Sequence, residues 1–187
     1  MLFFAHLALG AACGVGVSEA DKLLVPASEP LQLGYRLVLL GAILPDLLDK
    51  PLGELIFPNT FHSGKIFGHT LLLSACLLGV GAALYHARRR TGVLSLGIGT
   101  ASHLLGDAMW GTAATLLWPL LGWFRPEEVT GTWIQRMLLY LSSEWIFFTE
   151  MAGFLLLLFL AYRIHLTNFK ALGRFAHTGA LPVAHLE

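Results

Sequence analysis

The stretch Thr100-Ala-Ser-His-Leu-Leu-Gly-Asp-Ala-Met-Trp-Gly111 places an imidazole and a carboxylate four residues apart within an otherwise apolar run. Residues i and i+4 of a helix share one face, so His103 and Asp107 would point the same way, about one turn apart. Burying both groups costs free energy unless each has a partner, and one divalent metal ion can partner both. We therefore predict a metal site organised around this stretch.

Composition places the surrounding chain in a membrane. Of its 187 residues, 56% are hydrophobic and 13% are charged, whereas a soluble domain carries about 25% charged residues. The formal net charge is zero, so the chain lacks the basic balance of a nucleic-acid-binding protein and we expect no nucleic-acid partner. Cys13 and Cys76 both lie in apolar runs, where we expect them to pack as small residues without a disulfide.

The apolar runs predict an all-α, polytopic integral membrane bundle that forms a single domain over residues 1–187. A helix needs about 20 residues to cross the hydrocarbon core, and on that basis we expect five crossings. The fourth run is too long for one span, so we end that helix at Trp110 and assign the remainder to an interfacial or re-entrant segment broken by Pro119. The predicted helices are 2–18, 31–48, 66–86, 93–110 and 144–164, with the interfacial segment at 112–124 and a cytoplasmic tail at 165–187.

The distribution of Lys and Arg predicts the orientation in a prokaryotic plasma membrane. Arg88-Arg89-Arg90 joins the third and fourth helices, and further basic residues follow the fifth, so these ends should be cytoplasmic. The candidate metal ligands did not enter this argument, yet all of them then fall in the outer half of the membrane. We therefore expect an active site directed toward the outer, non-cytoplasmic side.

Two carboxylates stand three residues apart in Leu44-Pro-Asp-Leu-Leu-Asp49. At that spacing Asp46 and Asp49 can share a helix face and bridge or chelate a metal ion through oxygen. The alternative is an interfacial helix end at which Asp49 pairs with Lys50. The spacing alone does not separate the two interpretations.

The segment Phe61-His-Ser-Gly-Lys-Ile-Phe-Gly-His-Thr70 adds His62, Lys65 and His69. His69 opens an apolar run, where a neutral imidazole is a good ligand if a neighbour holds its second nitrogen; the alternative is a hydrogen-bonded interfacial histidine. His62 is compatible with a loop position, a substrate contact or a ligand. Lys65 suits an anionic substrate group or a lipid headgroup.

The remaining ionisable residues of the apolar runs are less specific. His6 in the first helix is, by itself, more typical of a packing residue. Glu144 and Glu150 in the fifth helix are candidates for a ligand, a general base or a group that orients a ligand. Four other histidines fall on the predicted cytoplasmic side and are excluded from the site: His86, His165, His177 and His185.

Taken together, the motifs resemble those of the YdjM-type membrane-bound metal-dependent hydrolases over about residues 1–120. The matching elements are His6, the Asp46 and Asp49 motif, Gly68-His-Thr70 and Ser102-His-Leu-Leu-Gly-Asp107. The chain departs from the family pattern at His62-Ser63-Gly64, which lacks the family's Arg, and this leaves the role of His62 open. The resemblance implies a multi-helix membrane protein with metal ligands at His6, Asp46, Asp49, His69, His103 and Asp107.

The His-x3-Asp spacing at 103–107 is also similar to one motif of the zinc-dependent phospholipase C and P1-type nuclease enzymes, which favours phosphoester chemistry. We predict a metal-dependent hydrolase with one or two zinc ions, or manganese, that acts on a membrane lipid or lipid-linked phosphoester through a metal-activated water. Catalytic roles are assigned to Asp49, His69 and Glu144, and substrate contacts to His62 and Lys65.

Two other functions remain as alternatives. Intramembrane acids and histidines also mark metal-ion or proton-coupled carriers, although here the ligands cluster on one side of the membrane. The metal could instead pin helices together in a non-catalytic protein, and an open coordination position would distinguish an enzyme from that case. Nothing in the sequence indicates the oligomeric state.

Overall fold

The computed structural model describes residues 3–24, 30–124, 142–163 and 169–179, with isolated positions at 134, 135, 138, 139 and 166. All regular structure within these residues is helical, in agreement with the predicted class. A π-helical turn, Pro51–Ile56, extends α2, and a 3-10 turn, Met109–Thr112, follows α5. The α-helices are α1 (Phe3–Leu24), α2 (Tyr35–Lys50), α3 (Pro58–Phe61), α4 (Leu71–Arg88), α5 (Gly92–Gly106), α6 (Ala113–Leu116), α7 (Glu144–Arg163) and α8 (Phe169–Thr178).

Three of the described helices, α1, α4 and α7, are long and apolar enough to cross a membrane. The other two predicted spans correspond to shorter helices, since α2 has 16 residues and α5 has 15. Length and composition therefore support a helical membrane protein with three candidate spans among the described residues, two fewer than the five predicted.

Helix boundaries differ from the predicted ones where polar groups end a helix. The predicted third helix began at 66, but α4 begins at Leu71 because the Thr70 hydroxyl accepts the backbone N–H of Leu73 and caps it. The predicted fourth helix ran to 110, but α5 ends at Gly106, where Asp107 takes the C-cap and Ala108 adopts a left-handed conformation with φ 50°. The predicted interfacial segment holds only the short helix α6, and the predicted tail contains α8.

Helix α5 lies at the centre of the bundle, in contact with α1, α2 and α4. Its approach to α2 is close because glycines face each other: a Cβ at Gly99 would lie 2.1 Å from the Val38 carbonyl oxygen, and one at Gly41 would lie 2.2 Å from the Leu96 carbonyl oxygen. Small residues of this kind allow two helix backbones to touch. This contact brings the last turns of α2 and α5 together, while α7 packs against α1.

Candidate metal centre

Asp49 anchors the loop before α4 to the end of α2. Its carboxylate is fully buried and accepts the backbone N–H groups of Ile66 at 2.7 Å, Gly68 at 2.8 Å and His69 at 3.1 Å. One of its oxygens also lies 2.7 Å from Nδ1 of His69. A carboxylate only accepts hydrogen bonds, so Nδ1 carries the proton, and Nε2 of His69 keeps its lone pair in the neutral ring.

His103 is held in the same way by a different acceptor. Its Nδ1 lies 2.7 Å from the carbonyl oxygen of Ala42, which also only accepts, so Nδ1 is again the protonated nitrogen. Nε2 of His103 then lies 3.1 Å from Nε2 of His69. Two neutral rings in these tautomers turn lone pairs toward each other and cannot form a hydrogen bond. A cation shared between the two nitrogens, a proton or a metal ion, satisfies both.

His6 brings a third imidazole to the same place from α1. Its ring stacks on that of His103 with centroids 3.9 Å apart and is 1% exposed. Its Nε2 lies 3.1 Å from an Asp107 oxygen, yet without hydrogen-bond geometry, and neither ring nitrogen has a hydrogen-bond partner among the described residues. Gly106 leaves room for this ring, since a Cβ there would lie 3.1 Å from Nδ1 of His6. A buried polar group left in this state costs about 1–3 kcal/mol, which favours a ligand for His6.

Two carboxylates complete the cluster, and each is paired with a lysine. Asp46 lies 3.6 Å from Nε2 of His69, and Asp107 lies 3.7 Å from the same nitrogen. Lys50 Nζ is 2.7 Å from the second oxygen of Asp46, and Lys65 Nζ is 3.0 Å from Asp107. Each carboxylate thus has contacts with both an imidazole and an ammonium group.

Among the described residues, two overlapping triads have one ligand atom from each member within 4.8 Å of one another: His6, Asp46 and His103, and His69, His103 and Asp107. His103 belongs to both. Imidazole nitrogen with carboxylate oxygen is a donor set that zinc and manganese accept. The His6 nitrogens, which have no hydrogen bond among the described residues, and the facing Nε2 atoms of His69 and His103 fit a divalent ion at this place.

Several predicted site residues have other surroundings. Asp49, predicted as a ligand and catalytic group, directs both oxygens to N–H donors and touches the cluster through His69. Lys65, predicted to contact substrate, reaches the cluster through Asp107. His62 is exposed at the C-cap of α3 with φ 50°, and Glu144 is exposed at the start of α7; neither joins a triad. The predicted ligands that converge are His6, Asp46, His69, His103 and Asp107.

A family model described as YdjM inner membrane protein matches residues 1–172, a range that contains every residue of this cluster. The chain belongs to the YdjM inner membrane protein family. No curated protein and no solved structure matches the chain. Membership agrees with the motif resemblance and with a location in the membrane.

In this YdjM family member, the groups that sequence reasoning missed are mostly backbone atoms. The Ala42 carbonyl oxygen orients His103, and the backbone N–H groups of residues 66, 68 and 69 hold Asp49. No side-chain pattern marks such groups. Gly106 lies within Ser102-His-Leu-Leu-Gly-Asp107, and a glycine directly before Asp107 is the one feature of the sequence that signals close packing at the site.

Proposed function

We propose that this YdjM family member is a membrane-embedded metal-dependent hydrolase that acts on a lipid or lipid-linked phosphoester. The observation that carries the proposal is the convergence of three imidazoles and two carboxylates in two overlapping triads, with neither His6 nitrogen hydrogen-bonded among the described residues. A zinc or manganese ion would be held by residues of this set. When bound, such an ion supplies a hydroxide near neutral pH and polarises a phosphoryl oxygen. The ligand set is His6, Asp46, His69, His103 and Asp107.

The charges around the centre favour a single ion and a substrate with one negative charge. Three carboxylates, Asp46, Asp49 and Asp107, and two ammonium groups, Lys50 and Lys65, leave one net negative charge when the histidines are neutral. A single divalent ion reverses this to one net positive charge. A phosphodiester carries one negative charge and matches it, and electrostatic complementarity of this kind selects among ligands.

The protein's own residues would orient the reacting groups. Asp49 and the Ala42 carbonyl oxygen each fix an imidazole tautomer, so His69 and His103 present Nε2 without reorganisation. The Lys65 side chain is 33% exposed and lies against Asp107. Lys65, like Lys50 beside Asp46, can therefore contact a phosphate oxygen that approaches the centre.

We further propose that α2 and α5 enter the membrane beside the three longer helices and that the centre faces the outer leaflet. His69 lies next to Thr70, the N-cap residue of α4, and Arg88 is the last residue of α4. Eighteen residues of helix separate the two ends by about 27 Å, close to the thickness of the hydrocarbon core. Basic residues favour the cytoplasmic side, so the centre would lie near the outer surface, where a lipid substrate can enter from the bilayer.

The test is hydrolysis by purified protein in proteoliposomes that contain a panel of phospholipids and isoprenoid phosphates. We expect product release that a chelator abolishes and that zinc or manganese restores. Asp107→Asn keeps the shape and removes the charge, and should lower turnover by more than about 100-fold, the upper end of losses for groups that only support a ligand. Glu19→Gln, on the exposed far end of α1, is the matched control and should leave turnover unchanged.

Metal flux into the vesicles without product from any lipid would overturn the hydrolase proposal in favour of a carrier. Tightly held metal with neither turnover nor flux would overturn it in favour of a structural role.

A further inference from the structure

Glu150 is a carboxylate in the interior of α7, one of the three candidate membrane spans. After Glu144, the first residue of the helix, it is the only acidic residue in α7. An ionisable side chain at such a position is costly in a membrane and calls for specific partners. Glu150 is half-buried, and its carboxylate accepts hydrogen bonds from two residues of α1.

The carboxylate of Glu150 binds the start of α1. It accepts the backbone N–H of Phe4 at 2.7 Å through one oxygen and that of Ala5 at 3.3 Å through the other. The first N–H groups of a helix have no carbonyl partner within the helix, and the helix dipole favours a negative charge there. Glu150 therefore caps α1 from a neighbouring helix.

The two helices also touch at this turn through their backbones and rings. A Cβ at Gly153 would lie 2.6 Å from Cα of Ala5, so α7 packs directly on that residue. The rings of Phe4 and Phe154 meet edge to face with centroids 5.3 Å apart. One face of α7 thus fixes the backbone of residues 4 and 5.

The next residue along α1 is His6. His69 and His103 each have a hydrogen bond that holds the ring, to Asp49 and to the Ala42 carbonyl oxygen, whereas His6 has none among the described residues. Its ring position depends on stacking against His103, on the Asp107 oxygen 3.1 Å from its Nε2, and on where its own backbone is fixed. The contacts of α7 supply the restraint on the backbone.

We propose that Glu150 is a positioning residue for the metal centre, acting on His6 through the first turn of α1; this inference rests on the proposed metal-dependent function. Both oxygens of Glu150 have backbone donors, and Glu150 belongs to neither of the triads found among the described residues. Its role is therefore to orient a ligand, not to be one.

The test measures the metal affinity of the full-length detergent-solubilised protein. The protein competes with a chelating dye for Co²⁺, and the absorption spectrum of protein-bound Co²⁺ is a second readout. Glu150→Ala should raise the Kd about 10–100-fold, the usual effect of removing a group that supports a ligand. Glu150→Gln keeps one acceptor oxygen and should fall between wild type and Glu150→Ala. Thr149→Ala is the control, because the Thr149 hydroxyl donates to the carbonyl oxygen of Ile146 within α7, and this variant should bind metal as wild type does.

A double-mutant cycle separates positioning from a general loss of stability. If Glu150 acts through His6, the double variant His6→Ala, Glu150→Ala should have the same Kd as the single variant His6→Ala. Two results would overturn this inference but leave the proposed function standing. One is a double variant in which the two losses of affinity add, and the other is a wild-type Kd in Glu150→Ala despite a lowered unfolding temperature. A wild-type protein that binds no metal would overturn the proposed function and this inference with it.

Discussion

Arg36 in the first turn of α2 and Asp49 near its last residue are charged side chains of the same helix with contrasting surroundings. Arg36 is exposed, and its guanidinium donates to the carbonyl oxygens of Ala176 and His177 at the end of α8, each at 2.8 Å. Asp49 is fully buried and accepts hydrogen bonds from a loop and from His69. Water can replace the partners of Arg36 but cannot reach Asp49.

This difference determines what each end of α2 can do. At the Arg36 end, a cation meets the free carbonyls of a helix C-terminus, a favourable but solvent-screened contact that docks α8. At the Asp49 end, charge in a region without water must be paired, so each group fixes the position of the next. The buried end can therefore hold a preorganised site, whereas the exposed end holds only a docking contact.

The largest effect on stability that we expect is from Asp49→Asn. The amide group would turn a donor toward at least one buried N–H, because all four atoms facing Asp49 donate. Losing charge-assisted bonds and leaving a buried donor unsatisfied should lower the free energy of unfolding by about 2–4 kcal/mol. Denaturant titration of tryptophan fluorescence measures this change.

Asp46→Asn is the matched comparison, three residues earlier on the same helix. Asp46 is 21% exposed and pairs with Lys50, so the loss of stability should be smaller, while the loss of metal affinity should be larger than in Asp49→Asn. A larger loss of metal affinity in Asp49→Asn than in Asp46→Asn would show that Asp49, not Asp46, is the ligand.

A smaller effect is expected from Arg36→Gln. Removing an exposed contact should change the free energy of unfolding by less than about 1 kcal/mol and leave metal affinity unchanged. The substitution should weaken the docking of α8 and so expose Ala171 of that helix, which is 4% exposed in the folded protein. A cysteine at position 171, in a background without Cys13 and Cys76, should then react faster with a thiol reagent. A drop in metal affinity would contradict the separation of the two ends of α2.

The motifs and the family resemblance together pointed to the residues that converge, but not to their individual roles. The i, i+4 spacing drew attention to His103 and Asp107, although α5 ends at Gly106 and Asp107 occupies the C-cap, not a helical position. Asp46 and Asp49 share a helix as predicted, but the loop backbone binds only Asp49. The path of a loop backbone is set by tertiary contacts, so no residue pattern indicated which of the two aspartates it would reach.

The limits of the fold prediction have the same origin. Hydropathy identified α1, α4 and α7, whose length and composition are sufficient by themselves. The ends of α4 and α5 depended on the Thr70 cap and on the left-handed Ala108, which hydropathy does not register. Helix α8 was missed because residues 165–187 were assigned as a whole to a cytoplasmic tail. Its docking also depends on Arg36, which is distant in sequence.

The central claim is most directly tested by metal analysis of chelator-free purified protein by mass spectrometry, with His103→Ala as the decisive variant. His103 belongs to both triads, so one substitution should disrupt both. His86→Ala, an exposed histidine near the arginine end of α4, is the control. We predict one zinc or manganese ion per chain in wild type and His86→Ala, and a near-complete loss in His103→Ala. Equal metal content in all three proteins, whether near zero or not, would contradict the account.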